Sequence, residues 1–470
     1  MLKKSLKTLK THFPASILAF SFLLASFYLE AQTDTGEALP DNVPGLLVKA
    51  NEAYAAKNYL TFRKAMEQLH NKRPNNSEYM YQLVIAHALL DEKSPAYDLM
   101  LRMQQQGLAY DFSKTDNTMN IRNTEVFDYV NDLMKMAAEP VGESEPVFTL
   151  PDNIVMPEAI SWDESRQKFL IGTVAEGSIL AVGEDGQVNE LLKADATNGM
   201  WAVFDILVDG PGNRLWVTSA ASPKFLRFDP TDNGRSALFE FNLETLEFIR
   251  RYYVPVDGSP HSLGNMVLSP KGDIFIVDRA LPIVYSKPAG EKKLKAVLVS
   301  REMVSMRGIA MQPDGRIMYV ADRELGILVI DFEAERASKL VVPKTLNIGG
   351  IDGLYLWDNH LIIIQNGIKP QRVMRLQLDS SGTGVEAIRP LAVAQPKFDF
   401  PSYGVIVGEN LYYFGNSQSG NNKDDLKPVT VLRTPLDSSK NLESPDMLEY
   451  IRQRGEKIKA QHEKAEKTKP

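Results

Sequence analysis

Between Ser305 and Asp331 the chain reads SMRGIAMQPDGRIMYVADRELGILVID, and its apolar positions recur as they do in strands rather than helices. Ile309 and Met311 alternate with small or polar neighbours. Ile317 to Val320 form one apolar run and Ile327 to Ile330 another. Pro313-Asp314-Gly315 separates the first two segments, with proline fixing φ and glycine permitting φ above zero, and Gly326 marks the next turn. A lone sheet of this kind cannot bury both faces, so the pattern demands copies of itself alongside.

The copies are present. Similar strand-turn-strand units run from Glu158 to Val182, Phe204 to Asp229, Leu263 to Lys287, Ile351 to Asp379 and Tyr403 to Leu436. Aligned on their first strands, the six units start at Glu158, Phe204, Gly264, Arg307, Asp352 and Tyr403. Their spacing of about 43 to 60 residues is the scale of one four-stranded propeller blade. The pattern therefore predicts a mostly β chain whose main domain, residues 145–440, is a six-bladed β-propeller closed into a ring without free edges. Val147 to Leu150 is expected to close that ring by joining the last blade.

Residues 43–140 carry a different period. Leu46, Ala50 and Ala53 share one helical face, and Phe62, Ala65 and Leu69 share the next. Pro74-Asn75-Asn76 stops that helix. Tyr79, Leu83, Ala86 and Leu90 then repeat the first face about 33 residues on, Ala96 to Met103 repeats the second, and Glu125 to Met136 reads as one further helix. Two helix pairs at this period resemble tetratricopeptide repeats. Such a domain either offers a groove to a peptide or packs on its neighbour. Glu139 to Pro146 reads as the linker. Residues 441–470 read as a charged tail, with a short helix over Ser444 to Lys467.

The first 31 residues change the setting of the molecule. Lys3, Lys4, Lys7 and Lys10 precede the apolar run Ser16 to Leu29, and Ala31 is a cleavage residue before Gln32. That is an export signal, implying a periplasmic or secreted protein that meets a membrane only through this segment. The run is short for a membrane span. Formal net charge is −7, and removal of the signal leaves 49 basic against 59 acidic residues, near −10. An acidic chain of this kind is a poor ligand for nucleic acid or an anionic membrane. There is no cysteine, which excludes disulfides, thiol nucleophiles, cysteine zinc sites and lipid attachment through cysteine.

No nucleophile elbow, phosphate loop or His-Glu-x-x-His zinc motif occurs. Six histidines are scattered without metal-ligand spacing, and only His261 lies just before a blade start. Chemistry must therefore come from the ring itself. In a propeller the first strands line the central channel and start together at one mouth. The first ring position holds Glu158, Phe204, Gly264, Arg307, Asp352 and Tyr403, and the next holds Ala159, Asp205, Asn265, Gly308, Gly353 and Gly404. Glu158, Asp205, Asn265, Arg307, Asp352 and Tyr403 form the candidate ligand-binding set. The competing reading is that the charged members only neutralise one another. Glycine at three second positions predicts tight backbone turns into the channel. Ser219, Asp278, Asp322, Asn366 and Asn416 end their second strands at matching places and are expected to surround the same mouth.

Pro157-Glu158, Trp162-Asp163, Asp352-Gly353 and the repeated Pro-Asp-Gly and Pro-Lys-Gly turns make residues 150–435 resemble the gluconolactonase and regucalcin (senescence marker) family of six-bladed propellers. The propellers with NHL repeats and the strictosidine synthase-like ones are related. The resemblance implies a divalent metal, often calcium, at the mouth. Its ligands would be a glutamate at the first blade start, an aspartate in an Asp-Gly start, and two asparagines. Glu158 and Asp352 match the carboxylates. Arg307-Gly308 stands where the family has Asn-Gly, and Gly264-Asn265 displaces the other asparagine by one residue. Two functions follow. One is an exported, non-catalytic propeller that binds a small polar molecule or a protein at the mouth and needs no cofactor. The other is a lactone or ester hydrolase with a rebuilt site, using either a divalent metal such as calcium or a base drawn from Asp205, His261, Asp278 and Asp322. The residues also raise the expectation that Arg307 takes the metal's place and spans from Asp352 to Glu158.

Overall fold

The computed structural model describes residues 38–418 and 426–437, with positions 452, 455–457, 459, 460, 463 and 464. The expected export signal lies outside the described residues, as does most of the expected C-terminal helix, whose described positions, 452, 455–457, 459, 460, 463 and 464, are helical. Five α-helices come first: α1 Val43–Ala55, α2 Tyr59–Lys72, α3 Ser77–Leu89, α4 Lys93–Gln105 and α5 Glu125–Met136. Asparagine opens each of the first three, the side chains of Asn42, Asn58 and Asn76 accepting hydrogen bonds from first-turn amides, and Thr124 does the same for α5. The positions expected from periodicity, among them Leu46, Ala50, Phe62, Ala65, Leu69, Leu83, Ala86 and Met103, are buried in one cluster.

The rest is a ring of six antiparallel sheets, five of four strands and one of five. Blades I to VI span 157–193, 202–253, 263–299, 306–339, 351–393 and 404–435. Each inner strand packs on the inner strand of the next blade, and that of blade VI returns to blade I. Blade VI has only three strands of its own. Its outer strand is Glu145–Thr149, paired antiparallel with Thr430–Pro435 (Glu145 opposite Arg433, Thr149 opposite Thr430). The closing strand thus starts two residues before the expected one. Val141–Gly142 adds a short fifth strand to blade V, so much of the supposed linker is sheet. Aromatic and aliphatic side chains fill the seams between blades. At the closure Phe148, Phe169, Tyr412 and Phe414 pack together, each fully buried side chain of this size stabilising the fold by about 1.5–3 kcal/mol.

The helical domain sits on the propeller. Arg73 pairs with Glu324 at 2.7 Å, and Ala109 N–H donates to the Lys369 carbonyl at 2.7 Å. Arg372, 1% exposed, donates to the Gln106 and Asn347 carbonyls at 3.0 and 3.1 Å and to Gln365 Oε1 at 2.7 Å. Ile368 completes the apolar core of the helices. All of these propeller residues lie in or beside connections at the end where the inner strands begin, on blades IV and V.

Candidate functional site

Five inner strands begin with the same irregularity. The register against the second strand shifts between Pro157 and Ala159, Val203 and Asp205, Leu263 and Met266, Met306 and Ile309, and Ile351 and Gly353. A β-bulge leaves its extra residue unpaired and re-aims the side chain. Glu158, Phe204, Arg307 and Asp352 are such residues, and Tyr403 stands just ahead of the sixth inner strand, at Gly404–Val407. Together they line two adjoining cavities at one mouth, of about 300 and 260 Å³, which share Glu158, Arg279 and Arg307. The second ring position lies elsewhere. Asp205 and Asn265 face a separate chamber of about 330 Å³ further along the inner strands, walled by aliphatic side chains such as Ile206, Met266 and Ile309. The expected set therefore divides between mouth and chamber.

The glycines of that second position answer to crowding rather than to turns. A Cβ on Gly308 would lie 2.5 Å from the Leu354 amide nitrogen of the neighbouring inner strand. Gly264 has another reason. A Cβ there would lie 2.6 and 2.7 Å from Cγ and Cδ of Arg279, whose stem crosses that spot to reach the channel.

Arg279 and Arg323 were not among the expected residues, and they govern the mouth. Arg279 donates through both terminal nitrogens to Glu158 Oε2, at 3.3 Å each. Its guanidinium lies 4.7 Å from the Phe204 ring centre and 5.8 Å from that of Tyr403. Burial opposes its charge, yet Tyr403, Glu158 and Asp352 hold its pKa above the ordinary value. Arg323 donates to Asp352 Oδ1 and, at 2.8 Å, to Asn366 Oδ1, while Asn366 Nδ2 donates to Asp352 Oδ2 at 2.6 Å. The expectation that Arg307 spans the two carboxylates is therefore corrected. Its Nε stands 3.8 Å from Asp352 Oδ1, and Glu158 is held by Arg279 instead.

A repeated dipeptide explains both arginines. Asp278-Arg279 and Asp322-Arg323 end the second strands of adjacent blades. The aspartates are turn locks. Asp322 accepts from the amides of Val304, Ser305, Glu324 and Leu325 at 2.7–3.0 Å. Asp278 accepts from the amides of Ser262, Ala280 and Leu281 and faces His261 Nδ1 at 2.7 Å. Each lock throws the following arginine into the mouth. Both aspartates are wholly buried with their oxygens engaged, so neither is placed to act as a base. His261, 6% exposed, is held between Asp278 and, at 3.1 Å, Asp257. Ser219 and Asn416 likewise bind their own loops, Ser219 through the Trp201 amide and Asn416 through Pro428 and Thr430. Of the five second-strand ends, Asn366 alone lines the mouth cavities.

Asp205 is the acid with the most altered environment. Burial raises its carboxyl to about 7, against hydrogen bonds from the Met266 and Ile206 amides and the charge of Arg279. Its side chain is partly open to the interior of the channel. Its Oδ2 accepts from Met266 N–H at 2.7 Å, tying blade II to the bulge of blade III.

These residues do not fit the divalent ion that the family resemblance implies. Glu158 and Asp352 are engaged by guanidinium groups, Gly264 has no donor, and Arg307 brings a positive charge to the remaining position. Among the described residues no group of three or more His, Cys, Asp or Glu is placed to hold a metal.

No family model matches the chain, and no curated protein matches it. Solved structures do share the propeller. Regucalcin from Agrobacterium tumefaciens, a calcium-binding protein, aligns with 63% of this chain and 95% of its own at 12% identity and a TM-score of 0.45. A gluconolactonase from Xanthomonas campestris covers 64% and 99% at 16% identity and 0.43. The aldose sugar dehydrogenase of Streptomyces coelicolor, in its PQQ-bound form, covers 63% and 99% at 11% and 0.44. The likeness is one of fold.

Proposed function

We propose that this is an exported propeller that binds a small polar molecule at the channel mouth without a divalent ion. The observation that carries this reading is the state of the two mouth carboxylates. Each is already neutralised by an arginine from a second-strand turn, while the cavities beside them stay open. Cavities of about 260–300 Å³ suit a small molecule better than a protein segment. Export rests on the basic-then-apolar segment over residues 1–31. Thermal shift of the purified protein with calcium, zinc and manganese tests the reading. No metal-dependent rise in Tm is expected. A ligand at a hundred times its Kd adds about 2.7 kcal/mol, so a saturating calcium effect would be plain and would restore the metal-dependent lactonase.

Hydrolysis of lactones or esters is the second reading, and one feature favours it. Asp205, raised to about 7, lies within the electrostatic reach of Arg279, an arrangement able to exchange a proton at neutral pH. A lactone and aryl-ester panel compared between wild type and Asp205→Asn decides it. Activity absent from the wild type, or undiminished in the variant, removes Asp205 as the base.

A further inference from the structure

We infer that the mouth's ligand carries a carboxylate and that Arg307 is its counter-ion, an inference that rests on the mouth being the binding site. Charge counting leads there. Arg279, Arg307 and Arg323 converge on two carboxylates, so one guanidinium is in excess. Arg279 belongs to Glu158 and Arg323 to Asp352. Arg307 is the surplus. Its hydrogen bond, Nη1 to the Met306 carbonyl at 2.8 Å, neutralises nothing, and its nearest carboxylate oxygen lies 3.8 Å away and is already taken by Arg323. Burial, then repulsion from Arg279, holds its pKa below the ordinary value. The chain as a whole is acidic, so the attraction for an anion is local, coming from the excess guanidinium on the cavity wall.

Arg307 lines both mouth cavities, with about a fifth of its side chain exposed, so the guanidinium is reachable. Its fork matches the two oxygens of a planar carboxylate, and the one surplus charge of the second cavity matches a monoanion, with Lys224 adding a further positive charge on the wall of the first. The surroundings say what should follow the acid group. Phe400 stands 55% exposed on the rim of the second cavity, with Tyr403 lining the same space and Phe204 lining the other. The ligand class is a small organic monocarboxylate with an apolar or aromatic body.

Benzoate serves as the probe, with benzamide as its neutral counterpart and inorganic phosphate as the alternative anion. Binding is read by thermal shift and calorimetry on the purified protein. Benzoate is expected to bind saturably and benzamide at least tenfold more weakly. Arg307→Gln should fold with wild-type stability, since it relieves repulsion, and lose about ten- to a hundredfold in benzoate affinity, the value of a charged hydrogen bond. Arg307→Lys keeps the charge without the fork and should fall between. Equal binding of benzoate and benzamide overturns the carboxylate while leaving the mouth as a binding site. Phosphate binding more tightly than benzoate replaces the monocarboxylate with a phosphoryl ligand. Calcium binding would instead remove the underlying reading of the mouth. Retention of benzoate affinity in Arg307→Gln, or no binding of benzoate to the wild type, sinks the proposal.

Discussion

Replacing Arg279 by methionine isolates the interaction that holds the mouth together. Two nitrogens lie 3.3 Å from Glu158 Oε2, and at an effective dielectric near 20 that separation corresponds to about 5 kcal/mol of gross attraction. Desolvation offsets part of it, Glu158 being 7% exposed. The lost contacts with the Phe204 and Tyr403 rings add about 0.5–1 kcal/mol each. A net cost of about 2–4 kcal/mol is expected for Arg279→Met, because Glu158 is left without its partner. Glu158→Gln alone should also destabilise. The double variant should cost less than the sum by at least about 1 kcal/mol, since it leaves no orphaned charge. Urea denaturation of the four proteins, followed by tryptophan fluorescence, gives the cycle. Strict additivity, or a single variant within about 0.5 kcal/mol of wild type, would show that the pair is incidental.

Two further outcomes follow from the same geometry. Asp322→Ala leaves four partly buried backbone amides without their acceptor and should destabilise by about 1–3 kcal/mol in urea titration, whereas a surface-like effect below about 0.5 kcal/mol would refute the turn-lock role. Asp205 has a folded pKa of about 7 against about 3.9 unfolded, so the native state binds the extra proton between those values; its contribution should fall as pH rises from about 4 to about 7 and level off above. Asp205→Asn should flatten that part of the stability profile, and unchanged slopes would contradict the raised pKa.

The blades were legible because each repeats one pattern of apolar runs and turns, and the ring positions followed from aligning first strands. Glu158, Arg307, Asp352 and Tyr403 were found this way. What the alignment could not show was which way each side chain faces. Asp205 and Asn265 are one position beyond the bulge or within it, and they turn to the chamber instead of the mouth. Arg279 and Arg323 escaped notice because they belong to second-strand turns, three-dimensionally close to the ring but unrelated to the first-strand register. Their signal was the repeated Asp-Arg, in which the aspartate is visible as a turn residue and the arginine reads as ordinary surface. The partner of Glu158 is 121 residues away in sequence, beyond any local pattern.

The strand Glu145–Thr149 has a consequence for anyone who cuts this chain. It follows the helices directly in sequence but belongs to the last blade, paired with residues nearly 290 positions later. A fragment beginning after Thr149 would retain four intact blades, strip the short outer strand from blade V, and leave the sixth with a bare strand exposing its hydrogen-bonding groups, a surface prone to pair with other chains. A fragment ending before Glu145 would carry the helices away without Ile368, which completes their apolar core from the propeller side. Dissection at the apparent linker thus damages both halves, and a protease that clips there would unlatch the ring rather than release a domain.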